Sequence, residues 1–318
     1  MRMVCITTVP ETLGFFRGQV GYLRDRGLCV EAISSPGDLL DTFGQSQRMK
    51  VHAVEIPRRI APLDDLRAIA ELIRVLRQIR PAIVHAHTPK AGLVGMISAL
   101  VARVPVRVYT IHGLPHVTAR GLKRQVLIWS ERVSCLLAQQ VFCVSPSIRN
   151  VAIQDGVCPW PKAKVLCSGS INGVDAWGRF CLDRYSRSER EWLRAQHGLG
   201  KAEYILGFVG RVVRDKGVED LAAAWSTIQS EFPAAYLVII GPEESQDPVS
   251  PAVMKSLRED PRVIMLGRVE DPAPWYAVFD LVVLPTHREG FGMVLIEAAA
   301  MEVPVVATRI PGCVDAVQ

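Results

Sequence analysis

Short apolar runs alternate with longer amphipathic segments along this chain of 318 residues, and this alternation constrains the fold more than any other feature. A strand that is buried on both faces of a parallel sheet reads as a short apolar run, and the covering helices read as amphipathic segments. The sequence therefore predicts an α/β protein with doubly wound, Rossmann-like parallel sheets.

The first half contains more of these runs than the second. Its predicted strands are Val4–Val9, Cys29–Ser34, Val51–Ile56, Ala82–His85, Val106–Ile111, Gln140–Val144 and Lys164–Cys167. Its predicted helices are Phe15–Arg26, Leu66–Ile79, Ala91–Val101, Leu122–Ala138 and Pro146–Asp155. Helix Leu66–Ile79 has apolar residues at three- and four-residue steps, as an amphipathic helix requires.

A charged stretch interrupts the alternation between Asp183 and Lys201. The pattern then restarts, with strands predicted at Tyr204–Val209, Ala235–Ile240, Val263–Leu266, Leu281–Leu284 and Val303–Ala307. Because the chain is longer than one hydrophobic core usually supports, we predict two domains, residues 1–190 and 191–318. Since the chain ends at Gln318 with no helix after its last strand, we expect the second domain to be incomplete.

Charge and cysteine content exclude several classes of protein. The formal net charge of +5 suits an anionic ligand or membrane surface but is too small to indicate a nucleic-acid-binding protein. No two of the eight cysteines form a C-x-x-C pair, so a zinc site is not expected. The N-terminus lacks the apolar core and cleavage site of a signal peptide, and no apolar run is long enough to span a membrane.

The segment from Pro285 to Pro304 carries the strongest motif. A predicted strand leads into a short loop with Gly290 and Gly292, and a predicted helix follows. Glycines at a helix N-terminus permit close approach of a phosphate to free N–H groups. Glu289 and Glu297 are about 12 Å apart if the segment is helical, which is too far for a glycosidase pair but suits two ends of one elongated ligand. A helix cap and an exposed glutamate would also explain them.

The second motif is GFVGRVVRDKG, from Gly207 to Gly217, directly after the first strand of the second half. Arg211 and Lys216 lie in the loop between this strand and the predicted helix Val218–Trp225. Two cations at the carboxyl end of a strand can bind a diphosphate and stabilise its charge as it leaves. Taken alone, the two residues are equally compatible with ordinary surface cations.

Together the motifs resemble those of the retaining GT-B glycosyltransferases of the family 4 type, which assemble capsule, O-antigen and lipid-linked oligosaccharides. The resemblance rests on G-R-x-x-x-x-K-G at Gly210–Gly217 and E-G-F-G-x-x-x-x-E at Glu289–Glu297. It implies that two Rossmann-like domains face each other across a cleft. It also implies that Arg211 and Lys216 hold the donor diphosphate, Glu289 faces the transferred sugar, Glu297 binds the ribose, and Gly290, Phe291 and Gly292 offer backbone N–H groups to phosphate.

The first half resembles the same family at VHAHTPKAGLVG, YTIHGLP and SGSINGVD. The resemblance places His112 near the donor sugar, and open α/β sheets bind ligands at this carboxyl edge. His85 and His87 also lie near a strand end, and one of them could simply be packed. The first loop, Thr8–Gly14, lacks the paired glycines that relatives use beside the phosphates, although we assign Gly14 to the donor site.

The resemblance implies that the donor is a nucleotide sugar, and a UDP-sugar is expected. It implies transfer with retention, without a cofactor or metal, to a polyprenyl-diphosphate-linked sugar or glycan. No D-x-D motif indicates a metal-dependent mechanism, and no carboxylate stands out as a nucleophile. The expected location is the cytoplasm.

Basic residues in two predicted helices of the first half suggest contact with the inner face of the membrane. They are Arg67, Arg74, Arg77, Arg80, Arg120, Lys123, Arg124 and Arg132. A basic surface with apolar backing suits an anionic bilayer, but ordinary solvated helix faces would show the same pattern.

Two other functions fit the same motifs. A sugar-nucleotide 2-epimerase uses a similar site but transfers nothing, and it would turn over the donor without an acceptor. A non-catalytic or inactive sugar-nucleotide-binding module would bind the donor without transferring sugar.

Overall fold

The computed structural model of the protein describes residues 1–317. They divide into two compact units, Met1–Asn172 and a second unit that starts at Gly173. Each unit is an α/β fold around one parallel sheet. Two doubly wound, Rossmann-like units confirm the predicted fold class.

The first unit contains seven strands and six α-helices within the described residues. Its strands are β1 (Arg2–Ile6), β2 (Cys29–Ser34), β3 (Lys50–Ala53), β4 (Ile83–His87), β5 (Val106–Ile111), β6 (Gln140–Cys143) and β7 (Ala163–Lys164). Its helices are α1 (Gln19–Asp25), α2 (Asp38–Gln47), α3 (Pro62–Ile79), α4 (Pro89–Val101), α5 (Gly121–Leu137) and α6 (Pro146–Gln154). The strand order β3-β2-β1-β4-β5-β6-β7 is parallel throughout.

The second unit contains five strands and five α-helices within the described residues. Its strands are β8 (Tyr204–Val209), β9 (Ala235–Ile240), β10 (Val263–Gly267), β11 (Leu281–Leu284) and β12 (Val305–Ala307). Its helices are α7 (Arg187–Gln196), α8 (Val218–Glu231), α9 (Pro251–Glu259), α10 (Ala273–Tyr276) and α11 (Met293–Ala300). The order is β10-β9-β8-β11-β12, again parallel.

Local chemistry explains why helix α3 forms where it does. Pro62 occupies the first turn, where its missing N–H costs nothing. Asp64 and Asp65 complement the positive end of the helix dipole, and Arg77 complements the negative end. The apolar residues on one side, including Leu72 and Leu76, are buried against the rest of the first unit, and this burial supplies most of the stability of the helix.

The boundary between the units lies between Asn172 and Gly173 in the chain, which is earlier than the boundary predicted at residue 190. The segment before α7 belongs to the second unit because its apolar residues join that unit's core. Phe180 is buried and packs edge-to-face on Tyr276, with ring centroids 5.8 Å apart. These few apolar residues are separated by charged residues, so their apolar pattern does not predict that they are buried.

The predicted helix Phe15–Arg26 is wrong as a single element. A 3-10 helix spans Pro10–Phe16, and α1 starts after Gly18, whose φ is +80°. A left-handed residue cannot continue an α-helix, so the chain turns there.

Candidate functional site

The strand order in the sheet of the second unit reverses between β8 and β11, which form its topological switch point. The chain proceeds outward from β8 through β9 to β10, and outward on the other side from β11 to β12. Strands β8 and β11 pair directly, with Leu281 opposite Leu206. In open α/β sheets, ligands bind at the carboxyl end of such a switch point. The two sequence motifs form the two loops at this place, Gly210–Gly217 after β8 and Pro285–Gly292 after β11.

Asp215 ties the two loops to each other. Its backbone oxygen accepts hydrogen bonds from the amide of His287 at 2.9 Å and from Oγ1 of Thr286 at 3.1 Å. Its carboxylate accepts from Nε of Arg288 at 2.8 Å. The backbone oxygen of Asp215 accepts two of these three hydrogen bonds, so the main chain helps to fix the relative position of the loops.

Gly217 allows the loops to approach this closely. Its φ is +72°, and a Cβ atom built on it would lie 1.9 Å from the backbone oxygen of Pro285. No other residue fits at that distance without moving one of the loops. The glycine is therefore required by the contact between the loops.

Lys216 and Glu289 are brought together by this arrangement. The ammonium of Lys216 donates to Oε2 of Glu289, and the side chains are only 15% and 17% exposed. The pair brings the two sequence motifs into contact. An ammonium group has three donors, so Lys216 can bind a phosphate oxygen while it keeps its contact with Glu289.

Arg211 has a different partner. Its Nη1 lies 2.9 Å from Oε2 of Glu244, a residue of the loop after β9. The structure therefore holds Arg211 towards β9, whereas Lys216 is held towards β11. Glu244 was not identified from the sequence, because its only signal is its position after a strand.

Glu297 lies in α11 and is held by Tyr276. The Tyr276 hydroxyl donates to Oε2 of Glu297 at 2.7 Å. Burial raises the pKa of the Glu297 carboxyl, and the hydrogen bond from Tyr276 opposes that effect. Tyr276 is itself fully buried, so it fixes the direction of the carboxylate. Tyr276 was not identified from the sequence, where it is indistinguishable from a core residue.

One of the predicted phosphate donors is already occupied. The amide of Gly292 donates to the backbone oxygen of Gly312 at 3.2 Å, so the assignment of this N–H group to phosphate is not supported. The amides of Gly290 and Phe291 have no backbone acceptor within residues 1–317. Gly312 has φ +87°, and a Cβ atom there would lie 2.8 Å from the backbone oxygens of Glu289 and Gly290. Gly312 therefore supports this loop and was missed as well.

The sheet of the first unit has its own switch point between β1 and β4. The hydroxyls of Thr8 and Thr88, which follow these strands, lie 2.7 Å apart. Gly14 lies in the 3-10 helix after β1, and a Cβ atom there would meet no other atom within 4 Å. The packing in this unit therefore does not require a glycine at that position.

Three histidines gather at the carboxyl ends of β4 and β5. Nδ1 of His87 lies 2.9 Å from Nε2 of His112, and Nε2 of His85 lies 2.7 Å from Oγ1 of Thr110. Phe15 stacks on His112, with ring centroids 5.2 Å apart. Burial lowers the pKa of His112 to about 4 and that of His85 to about 3. The imidazoles are therefore neutral at neutral pH.

The described residues contain neither a metal-binding cluster nor a membrane-spanning helix. In residues 1–317 no group of three or more His, Cys, Asp or Glu side chains is placed to hold a metal ion. Within the same residues no helix combines the length and the apolar character needed to cross a bilayer.

Comparisons with known proteins agree with this architecture. The family described as "Glycosyl transferase 4-like domain" matches residues 15–168, and "Glycosyl transferases group 1" matches residues 203–318. The capsular polysaccharide biosynthesis glycosyltransferase CapM of Staphylococcus aureus is 33% identical over 98% of this chain and 80% of its own length. A galactosyltransferase of Escherichia coli that acts on GlcNAc-diphosphoundecaprenol is 25% identical over 90% of this chain and 71% of its own length.

A solved structure shows the same fold. Crystalline HepE of Anabaena, in complex with UDP-glucose, has a TM-score of 0.78 and 23% identity, and the match covers 100% of this chain and 83% of HepE. The fold, the two matching family descriptions and the similarity to CapM lead to one assignment. The chain belongs to the GT-B glycosyltransferases of the family 4 type.

Proposed function

We propose that this glycosyltransferase moves a sugar from a UDP-sugar to a lipid-linked or polysaccharide acceptor, with retention of configuration. The observation that carries the proposal is the Lys216–Glu289 pair at the switch point of the second sheet. The relatives support the substrate classes, since HepE was crystallised with UDP-glucose and the Escherichia coli relative uses a diphosphoundecaprenol acceptor. We assign the donor to the second unit and the acceptor to the first.

Charge develops on the donor diphosphate as the bond to the sugar breaks. Lys216 supplies a fixed positive charge next to that bond, and the amides of Gly290 and Phe291 supply dipoles. In this proposal Arg211 leaves Glu244 to bind the diphosphate. A cation that is already in place, as Lys216 is, stabilises a leaving group without reorganisation, and this is why we propose that no metal ion is required.

The two glutamates bind opposite ends of the donor in this proposal. Glu289 accepts a hydrogen bond from a hydroxyl of the transferred sugar, and its contact with Lys216 holds it in position. Glu297 accepts from the ribose hydroxyls, and Tyr276 holds it in position. His112 is neutral and donates to an oxygen of the bound substrate.

Retention follows from a reaction on one face of the sugar. The bond between the anomeric carbon and the β-phosphate oxygen breaks, and the acceptor oxygen forms a bond to the same carbon from the same side. The proton of the acceptor hydroxyl moves to the departing phosphate oxygen. UDP and the glycosylated acceptor are the products, and no protein nucleophile takes part.

We also propose that α5 contacts an anionic membrane. Leu122, Val126 and Trp129 are exposed and lie on one side of this helix, whereas Ile128 and Glu131 on the opposite side are buried. An apolar stripe on the solvent side costs free energy unless something covers it. A bilayer would cover it, because apolar residues flanked by cations suit the membrane interface.

Charged residues on α5 distinguish it from α3. Lys123 is exposed, and Glu131, which is buried, is the only acidic residue of α5. On α3, by contrast, Arg67 pairs with Asp64 at 3.1 Å and Arg74 lies 3.7 Å from Glu71. The positive charge of α3 is thus partly neutralised within the helix, and we place the contact on α5.

The direct test is transfer. The protein is incubated with UDP-glucose, UDP-galactose or a UDP-N-acetylhexosamine, together with polyprenyl-diphosphate-linked acceptors and EDTA, and the product is identified by mass and anomeric configuration. A retained product in the presence of EDTA supports the proposal. Conversion of the donor to an epimer without acceptor, or binding without transfer, would each contradict it.

A further inference from the structure

The contact between His87 and His112 restricts which nitrogen of each imidazole ring can carry the proton. Both imidazoles are neutral at neutral pH, because burial lowers the pKa of His112 to about 4 and that of His87 well below its ordinary value. A neutral imidazole carries one N–H group and one bare nitrogen. In the contact between Nδ1 of His87 and Nε2 of His112, one ring must donate and the other must accept.

The remaining nitrogen of each ring has no partner. Nε2 of His87 and Nδ1 of His112 are buried and make no hydrogen bond within residues 1–317. The proton count makes one of them a donor and the other an acceptor. If His87 donates to His112, the unpaired N–H group is Nδ1 of His112. If His112 donates to His87, the unpaired N–H group is Nε2 of His87.

The surroundings favour the first arrangement. His87 is only 4% exposed, and its ring is enclosed by Phe16 at 4.5 Å and His85 at 3.9 Å between centroids. An unpaired N–H group in such a place loses its hydration without compensation. His112 is less buried than His87 and follows the end of β5, at the carboxyl edge where open α/β sheets bind ligands.

We propose that His87 is a positioning residue that fixes His112 as a neutral imidazole with its proton on Nδ1, ready to donate to a hydroxyl or phosphate oxygen of the substrate. The orphaned Nδ1 of His112 is the observation that points to a ligand, since a buried donor without a partner is rare unless something binds there. The inference rests on the proposed function only in naming the oxygen of a sugar nucleotide as the acceptor.

The pair also explains why a lone histidine at position 112 would be less useful. An unconstrained neutral imidazole favours the proton on Nε2, which would leave a bare Nδ1 towards the substrate. A bare nitrogen and a sugar hydroxyl can also form a hydrogen bond, but a phosphate oxygen needs a donor. His87 therefore determines which substrate atoms His112 can bind.

The test reads the position of the proton directly. Protein labelled with nitrogen-15 in histidine is studied by NMR at pH 7.5, and the His112→Gln variant identifies the signals of His112. Three proteins are compared: wild type, His87→Leu, which removes the donor, and His87→Asn, whose amide replaces Nδ1–H. UDP-glucose is the probe for binding, and circular dichroism checks folding.

We expect protonated Nδ1 and bare Nε2 at His112 in the wild type and in His87→Asn, and a shift of the proton to Nε2 in His87→Leu. Addition of UDP-glucose should shift the Nδ1–H signal of the wild type. Turnover should fall about tenfold in His87→Leu, as for loss of one neutral hydrogen bond, and recover in His87→Asn.

Two results would overturn the assignment. One is a wild-type His112 with its proton on Nε2, and the other is an unchanged His112 in His87→Leu. If His87→Leu does not fold, the wild type and His87→Asn still decide the matter. The expected proton positions in a protein that transfers no sugar would support the role of His87 and contradict the proposed function, so the two failures can be told apart.

Discussion

The ammonium of Lys216 contacts Oε2 of Glu289, and the two residues lie 73 positions apart in the chain. The contact joins the loop after β8 to the loop after β11, at the switch point of the second sheet. Each charge is shielded from water, so each depends on the other. Removal of either partner leaves a buried charge without compensation, which is costly.

We expect Lys216→Ala and Glu289→Ala each to lower turnover at least a hundredfold. Lys216→Ala removes a charge that stabilises the leaving diphosphate, and Glu289→Ala removes a contact with the transferred sugar. Initial rates with UDP-glucose would measure the effect, and circular dichroism would check folding. Lys201→Ala, at an exposed lysine of the same unit, is the matched control and should retain the wild-type rate. Wild-type turnover in either site variant would contradict the assignment.

Gly217→Ala should destabilise the second unit by roughly 3 kcal/mol or more, because its Cβ atom would collide with the backbone oxygen of Pro285. Gly198 has the same φ, +72°, but a Cβ atom there would meet no atom within 4 Å. Gly198→Ala should therefore cost only about 1 kcal/mol, from backbone strain alone. Urea unfolding of both variants separates collision from strain. Equal losses would show that the loops can move apart.

Glu131 makes stability depend on pH. Burial raises the pKa of its carboxyl to about 7 from 4.5, and Tyr109 donates to it at 2.7 Å. Between these two pH values the unfolded chain releases the proton while the folded protein keeps it. The contribution is therefore complete below pH 4.5 and is lost as the pH rises through 7.

Glu131→Gln removes this dependence and keeps an acceptor for Tyr109. We expect the variant to gain up to about 3 kcal/mol relative to the wild type as the pH rises from 4.5 to above 7. Urea unfolding of both proteins at pH 5 and pH 8 would measure the difference. The buried histidines are common to both proteins, so their titration cancels in the comparison. A difference that does not change with pH would show that Glu131 ionises normally in the folded protein.

Tyr276→Phe should raise KM for UDP-glucose about tenfold with little change in kcat. The variant keeps the ring in the core and removes only the hydroxyl that holds Glu297, so the carboxylate loses its direction towards the ribose. Steady-state kinetics would separate the two constants. Tyr204→Phe, at a tyrosine that is partly exposed, serves as the control. An unchanged KM would mean that Glu297 does not bind the donor through this geometry.

Leu122→Ser combined with Trp129→Ser should weaken binding to vesicles that contain phosphatidylglycerol by about tenfold or more, since both side chains would leave the interface. Leu63→Ser combined with Leu66→Ser, at exposed residues of α3, is the matched control and should bind normally. Sedimentation with vesicles measures binding. Equal binding by the two double variants would place the membrane contact elsewhere or exclude it.

The strands could be predicted well because they are buried on both faces. Val106–Ile111, Tyr204–Val209 and Leu281–Leu284 have the same bounds in the sequence analysis and in the structure. Helices α2, α7, α9 and α10 were not predicted. Helix α2 contains Gly44 and few apolar residues, α7 has no buried residue, α9 has only two, and α10 is only four residues long. These helices are short and carry few apolar residues, so a helical pattern is difficult to recognise in them from the sequence alone.

The candidate site could be predicted in part. Lys216 and Glu289 were named because each lies in a loop after a buried strand, and their contact follows from the pairing of β8 with β11. Glu244, by contrast, could not be assigned to Arg211 without knowledge of the side-chain directions. The hydrogen bond between His87 and His112 likewise depends on the register of two strands, which the sequence does not specify.

The backbone oxygen of Asp215 has a consequence for how this enzyme could change its substrate. It fastens the two loops through Thr286 and His287 without using the side chains that face a ligand. Exchanges at ligand-facing side chains other than Lys216 and Glu289 would therefore leave the framework in place and alter only the groups it presents. Evolution could adapt such an enzyme to a new sugar one residue at a time, because no intermediate would lose the geometry that the earlier sugar had required.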